Sequence, residues 1–274
     1  MNKWLRRALV GVLVAVVVVY VAILAIVYVF QRDLQYDRSG RVFELSETKL
    51  SGAELVTIPN LDGSSITGWY QPPAAGKLLI LYFRGNAQSF SREHERYEAF
   101  VQAGYGFLAF DYRGFPASPG EVTEAHVLAD GLAAYDWVKA KGYPIVIWGR
   151  SLGSGPATYV ASQRESDALL LETPFDSAVA VAGDRYGFLP VDLLMSDQYH
   201  VDQWIKDVTE PVYVAHGTAD RTIGVAHGER VYALAPNKDE LWIEPGADHT
   251  DLWARGIWER AEAFFVRSEA KLGR

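Results

Sequence analysis

Ile145-Val146-Ile147-Trp148-Gly149-Arg150-Ser151-Leu152-Gly153 is the stretch that decides how this chain folds. Its first four residues are apolar and strand-like, and Ser154 to Gln163 has a helical pattern, so a strand passes into a helix through Gly149-Arg150-Ser151-Leu152-Gly153. In a G-x-S-x-G elbow the serine sits on a strained turn, and small residues two positions either side let the backbone close tightly enough to expose Oγ. With 24 Gly in 274 residues the pentapeptide alone is a weak signal. Its place between strand and helix makes Ser151 a candidate nucleophile.

A serine hydroxyl needs a base, and the base needs a group to orient it. Beyond the strand-like Val212 to Ala215 comes His216-Gly217-Thr218-Ala219-Asp220, and beyond Leu241 to Ile243 comes Gly246-Ala247-Asp248-His249. Asp220 and His249 are the candidates for orienter and base, with Asp176, Asp248 and Asp251 as rival acids near strand ends and His216 as the rival histidine. His216 reads as a residue that braces its turn, and His94, His126, His200 and His227 read as surface residues.

Strands are expected near Glu54 to Ile58, Ile66 to Tyr70, Leu78 to Phe83, Phe107 to Phe110, Ile145 to Trp148, Ala168 to Leu171, Val212 to Ala215 and Leu241 to Ile243. Helical patterns near Arg92 to Gln102, Val127 to Lys141, Ser154 to Gln163, Ala226 to Leu234 and Leu252 to Ser268 alternate with the later ones. Such alternation predicts an α/β fold with a mostly parallel, doubly wound sheet and an antiparallel edge made by the first two strands. In an open parallel sheet the carboxyl ends of the strands share one edge, where Ser151, Asp220 and His249 can meet.

An acyl-transfer site also needs two N–H donors for the oxyanion. Leu152, next after the nucleophile, supplies one by position, and the loop Arg84-Gly85-Asn86-Ala87-Gln88 supplies the other through the Asn86 N–H. From about Val42 to Phe265 the chain resembles the Bem46-like branch of the α/β-hydrolase superfamily, which includes the ABHD12, ABHD13 and ABHD17 types. The marks are Tyr82-Phe83-Arg84-Gly85-Asn86-Ala87, Asp111-Tyr112-Arg113-Gly114-Phe115 through Ser118 and Gly120, Trp148 to Gly153, Glu172-Thr173-Pro174-Phe175, His216 to Asp220 and Gly246 to His249. The resemblance implies serine hydrolases of lipid esters, thioesters or other acyl esters, with Ser151, Asp220 and His249 as the triad. Relatives usually carry His where this chain has Arg84. A free arginine there would favour substrates bearing phosphate or carboxylate.

Ala8 to Phe30 is a run of 23 residues without a charge. At about 1.5 Å per residue it reaches across a hydrocarbon core of roughly 30 Å. It is longer than the apolar part of a signal peptide and ends without a small-residue cleavage pattern, so a retained anchor is expected. Lys3, Arg6 and Arg7 precede it, which places the N-terminus in the cytoplasm and the remainder across the membrane, in the periplasm if the host is Gram-negative. The expected organisation is residues 1–7 cytoplasmic, 8–30 membrane-spanning, 31–41 a linker and 42–274 one catalytic domain. With no cysteine, no disulfide is needed in that oxidising space.

The net charge of −8 argues against nucleic acid, which needs a basic footprint. No metal-ligand cluster or phosphate-binding glycine loop is visible, and the chemistry requires no cofactor. Between Glu172 and Val212 about forty residues stand where folds of this type insert a cap, room for two or three short helices. Their apolar stretch Tyr186 to Met195 could wall an acyl pocket, with Phe188 and Leu189 against the substrate, or simply pack on the core. Beside a membrane-anchored serine hydrolase stand a non-catalytic tethered binding protein and a peptidase or acyltransferase using the same site.

Overall fold

The computed structural model describes residues 2–271. Met1 and residues 272–274, the two ends of the expected organisation, lie outside the described residues. Eight strands form one sheet: β1 (Glu54–Pro59), β2 (Ser65–Gln71), β3 (Leu79–Phe83), β4 (Gly106–Phe110), β5 (Ile145–Arg150), β6 (Ala168–Glu172), β7 (Val212–Gly217) and β8 (Lys238–Glu244). Their order is β1-β2-β4-β3-β5-β6-β7-β8. β2 pairs antiparallel with β1 and β4, and every other pairing is parallel. All eight expected strands are present, each within a few residues of its expected bounds.

The central strands are apolar along most of their length because both faces are covered, and their polar residues, Arg150, Glu172 and His216, stand at the carboxyl ends. Side chains alternate across a strand, so Leu79, Leu81, Phe83, Ile145, Ile147, Leu169 and Leu171 feed one core. Ile80, Tyr82, Val146, Trp148, Ala168 and Leu170 feed the other. The first core is closed by α3 (Glu124–Lys139), α4 (Ser154–Gln163) and α8 (Val225–Leu234) through Val127, Val138, Val160 and Val231. The second is closed by α2 (His94–Gln102) and α9 (Ile257–Lys271) through Tyr97, Phe100, Ile257 and Phe264. Because β3 lies between β4 and β5, the chain crosses over it, and the loop after β3 ends up beside the elbow after β5.

Between β6 and β7 three short helices, α5 (Ala178–Arg185), α6 (Val191–Leu194) and α7 (Val201–Trp204), form the small cap. The N-terminal helix α1 (Lys3–Gln35) is longer than the expected span and runs through half of the expected linker. Its last turns dock on the cap. Gln31 accepts from the Ser196 N–H (2.7 Å), Arg32 pairs with Asp197 (3.1 Å), and Gln35 donates to the Asp197 carbonyl (3.0 Å). Tyr36 is buried, with its hydroxyl 3.0 Å from Asp197 Oδ2 and 2.9 Å from the Tyr199 hydroxyl. A free linker could not place Tyr36 in the core, so residues 31–36 belong to the folded unit.

Candidate active site

The elbow after β5 puts Ser151 at φ 51°, a left-handed conformation costly for a residue with a side chain. A Cβ on Gly153 would collide with the main-chain oxygen of Phe83, so only glycine lets the turn pack this closely on the end of β3. Ser154 Oγ donates to the Ser151 carbonyl (2.6 Å) as α4 begins. The Ser151 hydroxyl therefore stands at the carboxyl edge of the sheet, 8% exposed.

Asp220 sits just beyond β7 in a turn that its own carboxylate closes: Oδ1 accepts the N–H groups of Thr222 and Ile223, both at 2.8 Å. Its Oδ2 is 2.7 Å from His249 Nδ1, and His249 Nε2 is 2.8 Å from Ser151 Oγ. Since a carboxylate only accepts, Nδ1 carries the imidazole proton and Nε2 is left to accept from the serine. Burial would raise the Asp220 carboxyl, but hydrogen bonds from His216 and His249 outweigh it and hold the group well below the usual carboxylate range. Three residues distant in sequence thus form one hydrogen-bonded line.

The rival acids are occupied elsewhere. Asp176 bonds His227 Nδ1 (2.6 Å) and Arg230, Asp248 pairs with Arg221, and Asp251 accepts from the Asp248 N–H. His216 is fully buried. Its Nε2 donates to the Ile223 carbonyl (2.9 Å) and lies 3.2 Å from Asp220 Oδ2, so the residue that braces the turn also backs the carboxylate. His227 is not a surface residue as expected: it is 2% exposed, fixed between Asp176 and Asp184, which lie 51 and 43 positions earlier in the chain.

The loop after β3 lies against the nucleophile, with a Cβ built on Gly85 falling 3.4 Å from Ser151 Cβ. Leu152 is buried at the start of the elbow helix. The Asn86 side chain is turned to the end of α1: Nδ2 donates to the Gln35 carbonyl (2.6 Å) and Oδ1 accepts from the Asp37 N–H (3.1 Å). Arg84 corrects the expectation of a free charge. It is 1% exposed, its Nε is 2.6 Å from Asp111, its Nη1 donates to the Gly85 carbonyl (2.7 Å), and its guanidinium lies over the Phe115 ring. Its charge is spent on holding the loop, because a buried guanidinium must be paired.

Beneath the elbow is a charged layer that the sequence reading missed. Arg96 forks onto Glu172 (2.8 Å twice), which also accepts from Trp148 Nε1, while Arg150 lies 3.2 Å from Glu93 and 3.4 Å from Glu172. Burial opposes charge on Glu93, but Arg150 and Arg96 outweigh it and keep its carboxyl below its ordinary value. The available signal was Glu172 itself, a carboxylate ending a fully apolar strand. On the cap, Phe188 is 67% exposed at the tip of the turn between α5 and α6 and so does not wall an enclosed pocket, while Leu189 is partly buried. Among the described residues no group of three or more His, Cys, Asp or Glu is placed to hold a metal.

No protein-family model matches the chain. It is 31% identical over 246 residues to an uncharacterised protein of Mycobacterium tuberculosis, covering 88% of both chains. It is 31% identical over 206 residues to the lysophosphatidylserine lipase ABHD12 of Mus musculus, covering 65% of this chain and 52% of that one, so it spans about half the lipase's length. Among solved structures, the Pyrococcus furiosus esterase Pf2001 superposes with a TM-score of 0.66 at 23% identity, over 85% of this chain and 96% of that one.

Proposed function

Because this chain belongs to the α/β-hydrolase superfamily, in its ABHD12-type branch, we propose that it is a membrane-anchored serine hydrolase of acyl esters or thioesters. The observation that carries the reading is the line from Ser151 Oγ through His249 to Asp220, at 2.8 and 2.7 Å. Ser151 Oγ attacks the acyl carbon as His249 Nε2 takes its proton, and the negative charge moves to the acyl oxygen. The N–H groups of Leu152 and Asn86 are the proposed donors to that oxygen. Collapse expels the alcohol or thiol, which receives the proton from His249. Water, activated by the same histidine, then releases the carboxylic acid and restores Ser151. Asp220 holds the imidazole and stabilises its cation.

Lipid-like acyl substrates are favoured by the lipase among the relatives and by the 23-residue apolar run of α1. Lys3, Arg6 and Arg7 before that run support an N-terminus in the cytoplasm and a catalytic domain, residues 42–274, on the far side. The test is labelling of the full chain in detergent with a fluorophosphonate probe. Wild type is expected to label, and Ser151→Ala and His249→Ala are not. A folded wild-type protein that fails to label turns the reading toward a binding role. The full chain is needed because Gln31 and Arg32, which hold the cap, would be lost from a fragment begun at Asp33.

A further inference from the structure

The stripe of α1 that meets the cap is Tyr20, Leu24, Val27 and Gln31, residues spaced on one helix face. Leu24 and Val27 are partly covered while most of the apolar run is exposed, and the Tyr20 hydroxyl donates to the Phe188 carbonyl at 2.9 Å. Yet Tyr20 lies well inside the apolar run that ends at Phe30. If the bilayer began only where the cap ends, Ala8 to Val19 would have to span it alone. Twelve residues at about 1.5 Å give about 18 Å against a core of roughly 30 Å. The helix is too short to cross unless the cap enters the membrane beside it.

The surface of the cap fits that demand. Its tip presents Tyr186 (43% exposed), Phe188 (67%) and Leu193 (84%) next to the equally exposed apolar flank of α1. Scattered apolar residues on a surface are ordinary, but large side chains gathered beside an anchor make a continuous patch that water disfavours. Asp184, Arg185 and Asp192 are exposed around it and would stop it at the boundary between headgroups and acyl chains, the depth of about 5–10 Å that interfacial elements reach. That depth, added to the 18 Å of free helix, comes near the thickness of the core. We propose that the tip of the cap, through Tyr186, Phe188 and Leu193, is a second membrane element that enters the same leaflet as the C-terminal half of α1, with lipid acyl chains as its partner and Asp192 at headgroup level. The inference rests on the reading of residues 8–30 as a membrane span.

It has a consequence for the substrate. α1 ends against Asn86, and the Asp37 main chain bridges to Ala87, so the oxyanion loop lies where the anchor leaves the membrane. Tyr199 of the cap packs against Gly155, one turn beyond Ser151. An acyl chain held in that leaflet would lie on the side of the molecule where the loop after β3 meets Ser151.

The absence of cysteine makes the test clean. Single variants Val16→Cys, Phe188→Cys, Leu193→Cys and Gln163→Cys of the full chain are labelled with an environment-sensitive fluorophore and reconstituted in phosphatidylcholine vesicles. Quenching by lipids with nitroxides on their acyl chains is compared with quenching by aqueous iodide. Phe188 meets Tyr20 through its main-chain carbonyl, so replacing its side chain leaves that contact in place. Positions 188 and 193 are expected to lose most of their fluorescence to the lipid nitroxides, as position 16 does, while Gln163, at the far end of α4, responds to iodide alone. Lipid quenching at 16 with iodide quenching at 188 and 193 overturns the inference and leaves the anchor standing. Shielding of 188 and 193 from both quenchers means a protein surface, such as a second copy, covers the tip, and also overturns it. Failure of lipid quenching at 16 removes the anchor and the inference together.

Discussion

The edge of the sheet that carries Ser151 and the cap beside it are held by different means. The edge is held from within: Asp220 takes two main-chain N–H groups and two imidazoles, Arg84 is sealed on Asp111, and Arg96 and Arg150 share Glu172 beneath the elbow. The cap is three short helices, two of them four residues long; Tyr199 and Val201 pack into the core beneath it, and from outside Gln31, Arg32 and Gln35 of α1, with Tyr36 after it, grip Ser196, Asp197 and Tyr199. Helices this short do not persist on their own. The hydrogen-bonded line is thus a property of the sheet, whereas the cap needs both the core beneath it and α1 beside it.

The largest expected effect tests the self-sufficiency of the edge. Ser151→Ala and His249→Ala should each lower kcat by roughly 10⁴-fold or more on an activated ester. Thermal unfolding of Ser151→Ala should occur no earlier than in wild type, since the smaller residue gives up no buried contact that supports the sheet. Next, Arg84→Leu leaves the buried Asp111 carboxylate without its cation, held only by the Phe90 and Ala117 N–H groups, a cost of about 3–5 kcal/mol. A chemical-denaturation midpoint unchanged from wild type would show that the Arg84–Asp111 pair does not hold the edge.

What could be read from the sequence follows the same division. The eight strands and the three residues of the line were legible because a strand buried on both faces must be apolar at each position, and chain order places its carboxyl end. The inward turn of Arg84 was not, since Asp111 lies 27 residues away and nothing beside Arg84 announces it. His227 was hidden for the same reason, its carboxylates lying in the segment between β6 and β7. The docking of α1 was least legible of all. A run of 23 uncharged residues shows only that the helix is long and apolar enough to cross a membrane, and gives no hint that one of its faces meets protein.

Tyr36→Phe tests the hold on the cap. It deletes the hydroxyl that joins Asp197 to Tyr199, at a cost of about 1–3 kcal/mol. The loss should fall on the cap: limited proteolysis within residues 186–198 should quicken while fluorophosphonate labelling of Ser151 persists. If labelling falls in step with proteolysis, the edge depends on the cap. His216→Gln should be milder. Gln can replace one of the two contacts of the buried imidazole, so kcat should fall roughly 10-fold, about the worth of one hydrogen bond, with KM unchanged.

The smallest effect lies at the border of the two regions. Asp176 follows β6 and carries His227 and Arg230 of α8, and His227 also reaches Asp184 of the cap helix α5. Burial would raise the Asp176 carboxyl, but its bonds to His227 and Arg230 hold it well below the usual range. A carboxyl depressed in the folded state stabilises fully above its unfolded value, and that contribution is lost as the pH falls toward the folded value. The stability gap between wild type and Asp176→Asn should therefore stay constant from neutral pH down to about 5 and narrow below about 4, the ordinary value for aspartate. Denaturation curves at each pH measure the gap. If it narrows as the pH falls while cleavage within the cap stays slow, Asp176 serves the sheet alone. If cap cleavage rises as the gap closes, the bridge through His227 to Asp184 is a second grip on the cap, made by the sheet itself.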